Sequence, residues 1–455
     1  MPMSHMNMAM RTWLERLVPN ASHASSVIRR KALSKNVDVI LGALATKKAT
    51  PVSLKELYRF GQDPSLRLHH AQFLHREVPI RVSQRVMELR CLPFRLSESH
   101  GVREVIDNYT SYVLDLLTMD PPSTDDQVDM FQRYMKYLLQ DNTEVVQTMA
   151  LGVIQAKRSI SKEEIEDFRR LVDLVLVRFF TARIGLRFII EQFVGSAEYK
   201  SGFSGVIESF CNPVHIAQRA AEDATQLCRQ HKDIAPRVNF HTPTASFSDD
   251  MHFTYIPHHL HYMLTEILKN SMRATVEAHM HKLKGVGINT AAAALALPPI
   301  KVVFVAGYED ITIKVIDEGG GIPRSEIKAI WNFFHSTAEA PDSESKDGLH
   351  SSEEMGQWVN LIRDERQNDG SSSGSNVLLP PSALAGYGVG LPLSRLFARY
   401  FGGDITLSSM EGFGTDAYLH IPRLGSNCEA LPAPVQMSPG ELDSTYVPYP
   451  GYTAY

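Results

Sequence analysis

The sequence predicts an α+β protein, in which a helical bundle precedes a domain of helices packed on a sheet. Three observations predict this class. Apolar residues recur at one-face helical spacing through about 38–200. After the loop-like EYKSGFSG, short strands alternate with helices. Long helices with short breaks indicate an antiparallel bundle of four-helix type, and the mixed second part indicates one sheet covered by helices.

Composition narrows the class of protein. The net charge of −5 gives no general attraction to nucleic acid. The four cysteines form no CxxC pair, so a zinc site or a disulfide framework is not expected. The most apolar stretch, 171–190, is interrupted by Asp173, Arg178, Arg183 and Arg187, which excludes it as a transmembrane helix.

The chain divides into four predicted parts. Residues 1–37 are rich in arginine, lysine and serine with Glu15 as the single acid, typical of a mitochondrial transit peptide, although a disordered basic tail fits equally. The bundle is expected over 38–200 and the mixed domain over 201–425. Within that domain, about 338–385 is a Ser/Gly- and acid-rich insertion, and 426–455 is a Pro/Tyr-rich extended tail.

The periodicity also predicts individual elements. Helices are expected at 162–194, 213–232, 257–282 and 323–332, and one from 390. Strands are expected at about 237–241, 252–256, 301–307 and 311–317, and at ITLSS and TDAYLHI.

One predicted helix, 257–282, carries a polar stripe beside its apolar stripe. Glu266, Asn270, Arg273 and Glu277 fall at i, i+4, i+7 and i+11, so they share one face. Such a stripe is usually a solvated face, and alone it does not identify a site.

Two glycine-rich segments follow. ITIKVIDEGGGIP ends a strand at Asp317, and its glycines allow the backbone to approach a flat ring while the carboxylate accepts from an amine. Further on, Gly386, Gly388 and Gly390 lead into a helix, whose N-terminal N–H groups favour phosphate. The spacing is not that of a Walker A loop.

In this order, the motifs resemble the GHKL ATP-binding fold. The helix Glu…Asn pair is followed by Asp-x-Gly-x-Gly, GxGxGL and a late Gly-Thr at Gly414 and Thr415. This resemblance implies a GHKL α/β sandwich after the bundle.

More specifically, the chain resembles the mitochondrial pyruvate dehydrogenase kinase and branched-chain α-ketoacid dehydrogenase kinase family. Tyr262 stands where pyruvate-type members commonly have histidine, and no C-terminal Asp-Trp element is found. The resemblance runs from about 50 to 422 and is carried by REVPIRVSQRVMELRCLPF (76–94), EILKNSMRATVE (266–277), IDEGGGIP, FHSTAEA (334–340) and 386–417.

The resemblance implies a serine kinase that uses ATP and Mg²⁺. Glu266 would be the catalytic base, Asn270 the Mg²⁺ ligand, and Asp317 the acceptor for the adenine amine. The implied partners are the dehydrogenase α subunit as substrate and a lipoyl domain of the acyltransferase core as anchor of the bundle, with a homodimer in the mitochondrial matrix. The implied ATP-binding residues are Glu266, Asn270, Arg273, Asp317, Gly319, Gly321, Ser336, Thr337, Gly386, Tyr387, Gly388, Val389, Gly390, Leu391 and Thr415.

Three alternatives stay open. RCLPF, STAEA and Tyr262 favour the branched-chain enzyme, whereas MRATVE, LPLSRLFARYF and SMEGFGTDA favour the pyruvate type. A protein-histidine kinase should carry an acceptor histidine, which FFTARIGLRF lacks. A non-kinase ATPase of the chaperone or mismatch-repair kind would place the ATP fold first.

Overall fold

The computed structural model describes residues 26–141, 145–157, 159–242, 252–283, 291–335, 388–423 and 425–432. The chain forms two compact units. The first contains 1–209 together with 425–455, and the second contains 210–424. The transit-type segment predicted at 1–37 therefore lies mostly outside the described residues, as does the insertion at 338–385. No helix in the described part is long and apolar enough to span a membrane.

The first unit is a helical bundle. Four long helices form its core: α4 (Arg67–Arg90), α5 (His100–Thr118), α6 (Asp125–Asp141) and α8 (Ile165–Gly195). Helix α4 packs on α5 and α8, and α6 packs on α8. Buried aliphatic and aromatic side chains line these contacts, among them Leu74, Val113 and Phe188. The helices are α1 (Ser26–Lys35), α2 (Val37–Ala45), α3 (Leu54–Gln62), α4 (Arg67–Arg90), α5 (His100–Thr118), α6 (Asp125–Asp141), α7 (Val145–Lys157) and α8 (Ile165–Gly195).

Local signals account for several helix starts. Ser53 begins α3 with a capping box, because its hydroxyl accepts from Glu56 N–H while the Glu56 carboxylate accepts from Ser53 N–H. The predicted start signal SKEE also forms a capping contact, since the Ser161 hydroxyl accepts a hydrogen bond from Glu164 N–H at 3.3 Å. Regular helix nevertheless begins at Ile165, three residues later than predicted.

The segment after the last strand returns to the bundle. Its Glu429 side chain is buried and accepts hydrogen bonds from Arg81 at 2.6 and 3.0 Å and from Val52 N–H at 3.0 Å. Arg81 also bonds Glu77 at 3.1 Å. Residues 425–432 thus belong to the first unit, where the sequence had suggested an extended tail.

The second unit contains a five-stranded sheet. Its strands, in the order of the sheet, are β3 (Val238–His241), β5 (Ile300–Ala306), β6 (Asp310–Ile316), β8 (Gly414–Pro422) and β7 (Asp404–Met410). β3 pairs parallel with β5, and the other neighbours are antiparallel. Alternate residues of β6, namely Ile311, Ile313 and Val315, are buried, as the alternation of ITIKVID predicts. The other strands of the described residues, β1 (Phe203–Ser204), β2 (Ile207–Cys211) and β4 (Phe253–Tyr255), are not part of this sheet.

Helices cover one face of this sheet. α9 (Pro213–Lys232) packs on α10 (Pro257–Leu283), and α10 packs in turn on β6 and on α12 (Gly390–Tyr400). The short α11 (Ala291–Ala296) precedes β5. Asn212 begins α9 by accepting from the N–H groups of Val214 and His215.

The prediction of a helix at 323–332 is wrong. This segment consists of turns with a single 3-10 turn at Ala329–Trp331. Tertiary contacts decide its path: Ile322 N–H bonds the Ser409 hydroxyl at 2.7 Å, and the Trp331 ring lies 4.1 Å from the Arg395 guanidinium. These contacts outweigh a helical propensity of a few tenths of a kcal/mol per residue.

Candidate nucleotide and catalytic site

Helix α10 places three polar side chains of the candidate site on consecutive turns. Glu266 is buried, and its Oε1 atom accepts from Lys269 Nζ at 2.7 Å. Asn270 and Arg273 follow on the same face and are half-buried. Arg273 Nε is buried without a partner in the described part of the chain, and the half-buried Asn270 amide makes no hydrogen bond to a described residue. The stripe from Glu266 to Arg273 is therefore not an ordinary solvated face, whereas Glu277 is exposed.

The start of α12 meets the open side of Glu266. A Cβ atom at Gly390 would lie 1.9 Å from Glu266 Oε2, so a residue with a side chain cannot occupy this position without moving the carboxylate. Val389 precedes the helix and supplies no side-chain cap. The first N–H groups of α12, which Gly390 and Leu391 carry, thus remain available to a ligand.

Asp317 occupies the end of β6 with its carboxylate held in place. Oδ1 accepts from Gly319 N–H at 2.9 Å and from Thr415 N–H at 3.1 Å. Burial raises the pKa of the Asp317 carboxyl, and hydrogen bonds from Gly319, Ser271 and Thr415 offset part of that rise. A buried acceptor of fixed orientation can recognise an exocyclic amine.

The glycines around Asp317 are required by close backbone contact. A Cβ at Gly319 would lie 2.6 Å from the Ala274 Cβ, and one at Gly321 would lie 2.1 Å from the Met410 carbonyl oxygen. Gly321 also has φ +71, a conformation that favours glycine. At Gly414, a Cβ would lie 2.0 Å from the Asp317 carbonyl oxygen.

Thr415 lies beside this turn on β8. Its hydroxyl is 2.9 Å from the Ser409 hydroxyl, which in turn accepts from Ile322 N–H. Ser409 was not among the predicted site residues, because a serine in ITLSS carries no signal of this role.

Helix α10 joins the two halves of the candidate site. Glu266 faces Gly390, Ser271 bonds Asp317, and Ala274 packs against Gly319. Lys269 was also missed by the motif reasoning, although its i, i+3 spacing from Glu266 could have indicated the ion pair.

Four predicted residues, Ser336, Thr337, Gly386 and Tyr387, lie outside the described residues. The chain on either side of them is described. Phe334 N–H donates to the Gly388 carbonyl at 3.1 Å, and a Cβ at Gly388 would lie 2.1 Å from the His335 carbonyl oxygen. The described residues on either side of 336–387 therefore lie next to each other.

These features fit a nucleotide with its metal ion. A fixed buried acceptor and close backbone suit a purine ring, and free N–H groups at a helix start suit phosphate. The unbonded Asn270 amide offers the oxygen ligand that Mg²⁺ prefers.

Comparison with known proteins agrees with a nucleotide site. Residues 51–208 match the family model described as "Mitochondrial branched-chain alpha-ketoacid dehydrogenase kinase". Residues 255–425 match "Histidine kinase-, DNA gyrase B-, and HSP90-like ATPase". The fold and the site thus define a GHKL-type ATP-binding protein with a helical N-terminal region.

Curated relatives identify the family. The chain is 36% identical, over 85% of its length and 93% of the relative's, to the mitochondrial pyruvate dehydrogenase (acetyl-transferring) kinase of Arabidopsis thaliana. It is 33% identical to the Drosophila melanogaster kinase over 84% of both chains, and 31% identical to the human isozyme 4, again over 84% of both. The chain belongs to the mitochondrial pyruvate dehydrogenase kinase family.

Proposed function

We propose that this chain is a mitochondrial protein-serine kinase that phosphorylates, and so inactivates, the α subunit of the pyruvate dehydrogenase complex. The observation that carries the proposal is the environment of Glu266. Its carboxylate is buried, Oε1 is held by Lys269, and Oε2 faces the free start of α12 and accepts no hydrogen bond from the described residues. This arrangement suits a general base beside a phosphate site.

The remaining residues of the candidate site would bind and orient ATP and Mg²⁺. Asp317 would accept from the adenine amine, with Gly319, Gly321 and Thr415 shaping the same end. Asn270 would ligate Mg²⁺, and the backbone from Gly386 to Leu391 would hold the phosphates, together with Arg273, Ser336 and Thr337. ATP, when bound, supplies the phosphoryl group. Phosphoryl transfer depends chiefly on positioning and charge neutralisation, which these groups provide.

Glu266 would take the proton of the acceptor serine on Oε2. Lys269 fixes the other oxygen, so the carboxylate cannot rotate away from α12. Because Asn270 is one turn further along α10, the base and the metal ligand would act on the same phosphoryl group.

The proposed partners are a lipoyl domain and a second copy of this chain. The bundle would bind a lipoyl domain of the acyltransferase core, and the enzyme would act as a homodimer in the mitochondrial matrix. The sheet face opposite the helices supports a dimer, because Val305 of β5 is 54% exposed there and the Tyr418 and His420 rings lie stacked on β8, with β6 between the two strands. Light scattering of the purified chain tests the dimer.

The branched-chain α-ketoacid dehydrogenase kinase is the second candidate, favoured by the family model that matches 51–208. Incubation of the purified chain with radiolabelled Mg-ATP and, in parallel, the pyruvate and branched-chain complexes decides between them. We expect acid-stable label on the α subunit of the pyruvate complex. Label on the other α subunit would establish the second candidate. Acid-labile label would indicate a protein-histidine kinase, and ATP hydrolysis without transfer would indicate a non-kinase ATPase.

The metal role of Asn270 has its own test. Asn270→Ala removes the one side-chain amide of α10 and with it the proposed oxygen ligand of Mg²⁺. Mg-ATP should therefore bind on the order of tenfold or more weakly. Calorimetry measures this, and nucleotide affinity equal to that of the parent protein would contradict the assignment.

A further inference from the structure

The second unit contains a groove that shares no residue with the candidate nucleotide site. It has a volume of about 910 Å³ and runs between α9, the edge strand β3 and α11. This volume is in the upper part of the ~300–1,000 Å³ range of ligand pockets. The groove is lined by Gln218, Ala221, Glu222, Thr225, Gln226, Arg229, Gln230, Ala235, Pro236, Arg237, Val238, Phe240 and Ala294.

One wall of the groove is a strand edge. β3 is the last strand in the order of the sheet, and its inner edge is fixed by Ile300 N–H, which donates to the Arg237 carbonyl at 2.8 Å. Since peptide groups alternate in direction along a strand, those of Val238 and Phe240 point away from β5. Neither makes a hydrogen bond to another described residue. An open edge of this kind is a template for one more strand.

The opposite wall is a polar face of α9. Gln218, Gln226 and Gln230 are exposed and line the groove along three turns. Amide side chains both donate and accept hydrogen bonds, so they match the alternating N–H and C=O groups of an extended backbone. Small and apolar side chains, including Ala221 and Pro236, form the floor and leave room for side chains of a ligand.

The lining of the groove contains two arginines and one acidic residue. Arg229 and Arg237 are exposed, and neither guanidinium group forms an ion pair or a hydrogen bond with a described residue. Glu222 is the one acid in the lining. By contrast, Lys232 at the end of α9 lies outside the groove and is paired with Glu277 at 2.8 Å. The two unpaired guanidinium groups favour carboxylate side chains on the ligand.

We propose that this groove binds an acidic peptide segment in extended conformation, which adds to β3 as a sixth strand and pairs its carboxylates with Arg229 and Arg237. Main-chain hydrogen bonds to Val238 and Phe240 provide affinity, and the two arginines provide selectivity. The assignment is independent of the kinase activity proposed above.

The test uses the full chain and a fluorescein-labelled peptide of alternating glutamate and valine, with anisotropy as the readout. Three comparison peptides are a lysine/valine peptide, a glutamate/valine peptide N-methylated at alternate residues, and the same acidic sequence with alternate prolines. Each should bind roughly tenfold or more weakly than the acidic peptide, because each loses charge-assisted or main-chain hydrogen bonds. These comparisons do not depend on the folding of a variant.

Protein variants locate the binding. R229E and R237E should each weaken binding roughly tenfold. R219E is the matched control, since Arg219 is an exposed residue of α9 outside the lining. Equal loss in R219E, equal affinity for the glutamate and lysine peptides, or displacement of the peptide by Mg-ATP would overturn the proposal. An acidic peptide that shows no binding would overturn it as well.

Discussion

Two buried carboxylates, Glu429 in the bundle unit and Glu266 in the ATP-binding unit, have different hydrogen-bond environments. Glu429 in the bundle unit has both oxygens engaged, Oε1 by Arg81 and Val52 N–H, and Oε2 by Arg81. Glu266 in the ATP-binding unit has one oxygen engaged by Lys269 and directs the other at Gly390. Both side chains are at most 5% exposed, so burial does not distinguish them. A carboxylate oxygen without a partner among the described residues also occurs at Glu77 in the bundle unit. What indicates a chemical role for Glu266 is therefore the position of its second oxygen, beside the start of α12.

The largest expected effect concerns that unused oxygen. Glu266→Gln should lower kcat by ~10²–10⁴ with little loss of ATP affinity, because the amide cannot take the proton of the acceptor hydroxyl. Single-turnover phosphorylation and nucleotide calorimetry measure the two quantities. Glu277→Gln on the exposed part of α10 is the matched control. Parental turnover in Glu266→Gln would remove Glu266 as the base.

The fully hydrogen-bonded carboxylate of Glu429 should contribute to the stability of the fold and not to turnover. Arg81→Leu leaves Glu77 and Glu429 buried without their cation, so the free energy of unfolding should fall by ~3–5 kcal/mol. Urea unfolding followed by circular dichroism gives this value. Arg67→Leu, which breaks a half-exposed pair with Asp129, should cost less than ~1 kcal/mol. A large loss of kcat without loss of stability in Arg81→Leu would break the contrast.

A third group in the bundle unit makes stability depend on pH. His70 is fully buried between Phe60 and Phe193, and burial lowers its pKa from 6.5 to about 4. Between these values the unfolded chain binds more protons, so stability rises with pH across this window and is lost as pH falls through it. From pH 7 to pH 5 the loss should be about 2 kcal/mol.

Replacement of His70 by leucine should abolish that part of the pH dependence. His69→Leu is the matched control, because its side chain is exposed on the same helix. Denaturant midpoints at pH 7 and pH 5 for the three proteins measure the effect. An unchanged pH dependence in His70→Leu would assign the loss of stability to other groups.

The smallest expected effect concerns the neighbour of the base. Tyr262 lies one turn before Glu266, packs on Phe397 at 5.2 Å between ring centroids, and has a buried hydroxyl without a described partner. Burial and the charge of Glu266 raise its pKa well above the usual value, so the phenol stays a neutral donor. We expect this hydroxyl to donate a hydrogen bond only when ATP and the acceptor are bound, so Tyr262→Phe should lower kcat by ~2- to 10-fold, the equivalent of that one hydrogen bond.

Tyr255→Phe removes another buried phenol hydroxyl, on β4, and should leave kcat unchanged. Steady-state kinetics of both variants at saturating ATP compare them. If Tyr262→Phe and Tyr255→Phe behave alike, the Tyr262 hydroxyl has no role in turnover.

Much of the fold and part of the candidate site can be predicted from local sequence. The alternation in ITIKVID and the one-face stripe of α10 report burial directly, because each depends on the periodicity of a single element. Asp317 and Gly390 are recognisable since glycine spacing reflects backbone constraints. The ion pair of Arg81 and Glu429 joins residues 348 positions apart, and no local pattern encodes it. The turns at 323–332 likewise depend on Ser409 and Arg395, which lie on other elements.

The junction of Phe334 with Gly388 has a consequence for the history of the chain. Because the two backbones are hydrogen-bonded at 3.1 Å, the fold holds Phe334 and Gly388 together, whatever the length of the chain between them. The entropy of closing a loop grows only with the logarithm of its length, by ~0.6 kcal/mol for each doubling. Descendants of one ancestral gene can therefore lengthen or shorten this stretch at almost no thermodynamic penalty, which leaves its length free to drift or to be selected.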